Sequence, residues 1–268
     1  MYKRQDNNIF AWGQNDFGEL GNNSSGTDIT LPVNITANFL LDPSDKIIKV
    51  AAGYSYSAAV TELGELYMWG NAMGGRLTTG FTTVNINPLP IHVSASPAFA
   101  GLADIVDVEL VNGSTFIITL DSKVFVCGVN NEGQLGIGTT VFSWNMLEAT
   151  SFYGLEAGEE IVRIDGGQSH VAILTSNDRM LIWGDNQFGQ LGSGDYVDVY
   201  QPNERNDAFD LIIGETITGF DLGNNTTTVY TSLGRMFIFG YSRSGQYGLG
   251  VATDIQSNTP VEIPFLNY

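Results

Sequence analysis

Cysteine is almost absent. Cys127 stands alone, which excludes an internal disulfide framework and any structural zinc site built from several thiolates. Positive charge is scarce too: 11 lysines and arginines face 29 acidic residues, a formal net charge of −18. A surface of that sign repels phosphate backbones and anionic bilayers, so neither nucleic acid nor a membrane is expected as a partner. There are two histidines, His92 and His170, which leaves little material for a base-assisted nucleophile. No apolar run reaches the ~18 residues that a bilayer-spanning helix needs. Charged residues make up 15% and apolar residues 43%, a balance that argues for a packed core and against a disordered acidic tail. Glycine, in contrast, is abundant, with 32 in 268 residues. Without a G-X-Y period they imply many tight turns, and so an all-β chain.

The first residues, MYKRQ, have no apolar stretch of the signal-peptide kind and match nothing later in the chain. Tyr2-Lys3-Arg4-Gln5 is also what TAT AAG AGA CAG encodes, the end of a transposon adapter used in sequencing libraries. Residues 1–8 are therefore expected to be a non-native or disordered stub, and the chain an N-terminally truncated environmental fragment.

An aromatic-glycine unit recurs five times: IFAWGQNDFGELG from Ile9, LYMWGNAMGGRL from Leu66, VFVCGVNNEGQLG from Val124, LIWGDNQFGQLG from Leu181 and FIFGYSRSGQYG from Phe237. Its anchor pairs are Trp12-Gly13, Trp69-Gly70, Cys127-Gly128, Trp183-Gly184 and Phe239-Gly240, spaced 57, 58, 56 and 56 residues apart. A second unit, two β-branched runs split by small residues, precedes the last four copies and starts at Ile47, Ile105, Ile161 and Ile217. A third follows the first, as LPVNI, LPIHV, NMLEA, the weak VYQPN and TPVEI. One period is thus four short strands joined by Gly, Asn and Ser turns.

LYMW, VFVC, LIW and FIF are apolar at consecutive positions, where a strand with one wet face would alternate. Four-stranded antiparallel units covered on both faces by their neighbours are the blades of a propeller. Residues 9–268 are expected to form a single propeller domain: a half blade over 9–35, then four complete blades over 47–93, 105–149, 161–203 and 217–263.

These units resemble the regulator of chromosome condensation repeat, whose pattern runs V-A-x-G-x-x-H-S-x-A-L-T, then V-Y-x-W-G-x-N-x-x-G-Q-L-G, then P-x-x-V. The resemblance covers residues 9 to 263, with departures. Cys127 and Phe239 replace the tryptophan, and His170 alone keeps the family histidine, where the other blades have Tyr56, Ser114 and Thr226. Val111 stands where Gly53, Gly167 and Gly223 occupy the other copies. The resemblance implies a β-propeller that usually closes with seven blades, a protein partner, and, from the founding member, guanine-nucleotide exchange on a small GTPase.

Chemistry-bearing motifs are thin. The repeat glycines lack the following Lys-Ser or Lys-Thr of a phosphate loop, and no zinc-protease, nucleophile-elbow or calcium-loop pattern occurs. Asn15, Asn71, Asn130 and Asn186 are read as turn formers that accept Asx-type hydrogen bonds. The Asn-x-Ser/Thr triplets at Asn22, Asn34, Asn112 and Asn224 carry little weight in so Asn- and Thr-rich a chain. His170 is read as a satisfied structural histidine and Cys127 as a small core hydrophobe. No cofactor, metal site or catalytic residue is expected. Glu109, Asp165 and Asp221 share one repeat position, 56 residues apart, while Ala51 fills it in the first full blade. Near the ends of the strands the resemblance places innermost, they are candidates to bind a basic peptide or a cation, against a blander reading as solvated strand ends. The sequence thus favours a non-catalytic protein-interaction scaffold; the alternatives are a nucleotide exchange factor and a carboxylate-dependent hydrolase.

Overall fold

A computed structural model describes residues 1–3, 7–78, 86–250 and 255–264. Every strand pair is antiparallel, and helical structure among the described residues is confined to 3-10 segments of three or four residues. The fold is all-β and of the β-propeller class, with four complete four-stranded blades. Backbone contacts divide the chain into two compact units.

The first unit is Met1–Val129 with Phe142–Thr150. Its opening sheet holds β1 (Tyr2–Lys3), β2 (Ile9–Gly13) and β3 (Ile29–Asn34), in that order. Tyr2 pairs with Phe10 and Lys3 with Ile9. Two residues of the segment expected as a stub therefore join the sheet, and the edge expected to be bare has a short partner. The next blade is β4 (Ile47–Ala52), β5 (Tyr56–Thr61), β6 (Leu66–Asn71) and β7 (Ile86–His92). After it come β8 (Ile105–Val111), β9 (Ser114–Thr119), β10 (Val124–Gly128) and β11 (Ser143–Glu148). Between these blades lies one apolar cluster that includes Tyr56, Met68 and Leu77 from the first and Val108, Leu110 and Ile117 from the second.

The second unit is Asn130–Val141 with Ser151–Tyr268. It contains the blade of β12 (Ile161–Gly166), β13 (His170–Thr175), β14 (Met180–Gly184) and β15 (Val199–Glu204). The other blade is β16 (Ile217–Leu222), β17 (Thr226–Thr231), β18 (Met236–Ser242) and β19 (Ile255–Glu262). Ala172, Ile182 and Leu191 pack here against Phe220, Val229 and Phe239.

Strands β5, β6, β9, β10, β13 and β14 are buried at every residue, as their unbroken apolar runs require. β17 departs from this: Thr226, Thr228 and Tyr230 put hydroxyls on one face, and that face is half-buried to exposed.

Two hydrogen-bond devices recur. In the loop after each W-G pair an asparagine carboxamide closes the turn. Asn15, Asn130 and Asn186 accept from the N–H of Leu20, Leu135 and Leu191 and donate to the carbonyls of Ser24, Thr139 and Asp195. Only Asn71, accepting from Met73 N–H, makes the expected two-residue Asx bond. The others span longer loops, because a buried amide finds both its partners across the turn. The second device ties that loop to the following blade. Trp69 Nε1 and Ser57 Oγ both donate to Glu19 O, and Trp183 Nε1 donates to Gln134 O. Cys127 and Phe239 cannot donate in this way. In their blades Thr115 Oγ1 reaches Arg76 O at 2.6 Å and Thr227 Oγ1 reaches Gln190 O at 2.7 Å.

Candidate functional site

The three carboxylates lie on inner strands, in β8, β12 and β16, and none is without a counter-charge. In the first unit Lys49 of β4 forms an ion pair with Asp107 and lies 3.7 Å from Glu109. In the second, Arg163 of β12 is 2.7 Å from Asp221 and 3.9 Å from Asp165. Tyr230 OH also donates to Asp221, and the backbone N–H groups of Leu222 and Gly166 donate to Asp165. Burial raises the Asp165 pKa above the ordinary carboxylate value, with those N–H groups and Arg163 opposing it. Asp165 and Asp221 are thus brought together on one guanidinium, while Glu109 shares the Lys49 ammonium with Asp107.

Sequence reasoning missed Lys49 and Arg163. The signal was available, because Lys49, Asp107, Arg163 and Gly219 occupy one column of the repeat, two residues before the carboxylate column. Charges of opposite sign on neighbouring strands attract across the strand spacing. An inner-strand acid therefore meets a base supplied by the strand before it in the chain.

His170 is fully buried. Thr227 Oγ1 spends its proton on Gln190 O, so the 3.0 Å contact from His170 Nε2 has imidazole as donor and the ring is the Nε2–H tautomer. Burial lowers its pKa to about 3, which keeps the ring neutral. Tyr56 holds the matching position and donates to Ser114 O at 2.6 Å. Each ring is a staple from one blade into the next. Cys127 is buried, and burial pushes its thiol up to about 12. His92 stacks on Tyr67 at 4.7 Å and lies 3.7 Å from Glu65. Among the described residues no group of three or more His, Cys, Asp or Glu is placed to hold a metal ion.

Blade order, staples and closed loops define the class, a repeat-built β-propeller. A family model, regulator of chromosome condensation (RCC1) repeat, matches residues 6–60, and a second of the same description matches residues 161–190. The chain belongs to this repeat family. It is 28% identical over 259 residues to the RCC1 domain-containing protein RUG3, mitochondrial, of Arabidopsis thaliana, covering 96% of this chain and 55% of that protein. It is 27% identical over 267 residues to the ultraviolet-B receptor UVR8 of the same plant, with 98% and 55% covered. The chain thus spans about half the length of these curated relatives. Among solved structures, human WBSCR16 superposes with a TM-score of 0.76 at 21% identity, over 95% of this chain and 62% of that one. Yeast RCC1 (Prp20), solved bound to Kap60, gives 0.75 at 21% identity over 98% and 61%. At such identities the structural likeness establishes the fold alone.

Proposed function

We propose that the chain is a non-catalytic protein-interaction scaffold, presenting rigid loops at the blade ends to another protein. The observation that carries this reading is the state of its reactive groups. The inner-strand acids are paired with Lys49 and Arg163, His170 is sealed and neutral, and Cys127 is buried. What remains at the surface is shape, acidity and loop side chains held by a stiff framework. Solved neighbours support a protein partner in general terms: one is titled as a complex with Kap60, another as a study of binding to Gsp1p and histones. Proximity labelling and cross-linking with the intact chain as bait test the reading, which expects a partner retained in stoichiometric amount.

Nucleotide exchange is the second reading, favoured by the family match. Exchange on a panel of small GTPases is expected to stay at the spontaneous rate. Acceleration of any of them would replace the scaffold reading. A hydrolase built on Asp165 and Asp221 is disfavoured by the guanidinium they share.

A further inference from the structure

The staple rings reveal a third socket of the same construction. Tyr56 lies among Met68, Leu77 and Leu110, with Thr115 Oγ1 at its hydroxyl and the Arg76 guanidinium 5.4 Å over its ring. Counted back one repeat, those five positions are Ala11, Leu20, Ala52, Ser57 and Glu19. All five line a cavity of about 240 Å³ beside β2, with Trp12 and Tyr54 among its other walls. The socket is open because the first sheet has no fully formed second strand to supply a ring.

The backbone at the same place tells the same story. In the other blades the repeat glycine lies against the strand that carries the staple: a Cβ on Gly70 would sit 2.7 Å from Tyr56 Cα, and one on Gly184 would sit 2.8 Å from His170 Cα. Gly70 pairs with Tyr56 and Gly184 with His170. Gly13 keeps the same positive φ, +109°, yet a Cβ there would meet nothing within 4 Å. β1 pairs only with Ile9 and Phe10, so among the described residues Gly13 has no strand partner on that edge.

We infer that the β2 edge and its socket form a docking site for a partner β-hairpin that places a histidine ring opposite Gly13. Strand addition supplies the main-chain hydrogen bonds, and the socket supplies side-chain selectivity. Ser57 Oγ donates to Glu19 O, as Thr227 Oγ1 donates to Gln190 O, and so is set to accept from an imidazole N–H. The charge next to the ring decides between histidine and tyrosine. Where the filled socket has Arg76 over a phenol, the open one has the carboxylate of Glu19, which favours a ring able to carry positive charge. The site rests on the scaffold reading and names the chemistry of its partner.

A labelled peptide with the sequence of residues 161–175, which holds His170 in its own hairpin, serves as probe for fluorescence anisotropy against the intact chain. Saturable binding is expected, weakened about ten-fold by His170→Ala in the peptide, the loss of one hydrogen-bonded ring. Ser57→Val in the chain should weaken it similarly, since Trp69 Nε1 still holds the Glu19 loop. Gly13→Ala should abolish binding while the chain stays folded, as read by circular dichroism. No binding, equal binding of the two peptides, or indifference to both chain variants overturns the proposal. So does a dimer in sedimentation that the peptide fails to dissociate, which assigns the edge to a second copy. A partner captured equally by wild type and Gly13→Ala leaves the scaffold standing and removes the socket. Peptide binding as described with no partner found does the reverse.

Discussion

His170 makes the clearest residue-scale case, because its burial couples stability to pH. Its folded pKa of about 3 lies below the ordinary 6.5, so the unfolded chain takes up the proton first. This contribution is whole above pH 6.5 and is lost as pH falls toward 3. At pH 5 the difference amounts to about 2 kcal/mol relative to pH 7. Urea midpoints at the two pH values should show it, and His170→Gln should flatten the dependence. The hydroxyl that replaces an indole is a second such case. Thr115→Val takes away the donor that reaches Arg76 O, where Cys127 offers no indole, and should cost about 1–3 kcal/mol. Ser57→Val should cost under about 1 kcal/mol, because Trp69 Nε1 shares the Glu19 carbonyl. Equal costs would show that the two donors are not interchangeable. The native Cys127 thiol, held up near 12 by burial, should react with thiol reagents only at the rate of unfolding.

Strand pairs respond to substitution according to what lies beside them. Gly184 has φ +103°, and a Cβ would stand 2.3 Å from Ser169 O, so alanine must part β13 from β14. A loss of about 3 kcal/mol or more is expected. At Gly13, with open space, Ala should cost only the positive-φ strain, about 1 kcal/mol. Thermal melts of the two variants separate backbone conformation from close approach. The second unit's blades have a further tie at their ends. Glu159, with no exposed side-chain surface, meets Arg179 at 2.7 Å, and Arg179 also meets Glu204 at 2.8 Å. Burial opposes the Glu159 charge, but the Glu156 N–H, the Thr175 hydroxyl and Arg179 together hold its carboxyl below the usual value. Arg179→Met leaves that carboxylate without its base and should cost about 2 kcal/mol or more, partly recovered by Glu159→Gln in the same chain. The final blade repeats the tie with Glu215, Arg235 and Glu262.

Charge dominates at the scale of the whole molecule. Eleven bases cannot neutralise 29 acids however they are placed, so self-repulsion outweighs the few ion pairs. Raising sodium chloride from about 0.02 to about 0.3 M should therefore raise the melting temperature, although Arg163 and Lys49 lose some attraction to their acids. A fall would place the ion pairs above the repulsion. Heparin and anionic vesicles should fail to retain the chain even at low salt.

The amino-acid order by itself determined the period, the four strands of each blade and the glycines between them. These are readable because strand burial shows as consecutive apolar residues and turns as Gly and Asn, all within a dozen positions. The loop asparagines were legible as turn formers, but not the nine-residue reach of Asn15, Asn130 and Asn186. Glu109, Asp165 and Asp221 were legible as a column, whereas their neutralisation by Lys49 and Arg163 was not, since it depends on which strand lies beside which. Only the tertiary structure decided that Thr115 and Thr227 stand in for missing indoles, and that the Gly13 socket is empty where those of Tyr56 and His170 are filled. Each of these relations joins residues a repeat or so apart, and no local pattern encodes a partner brought near only when blade packs on blade.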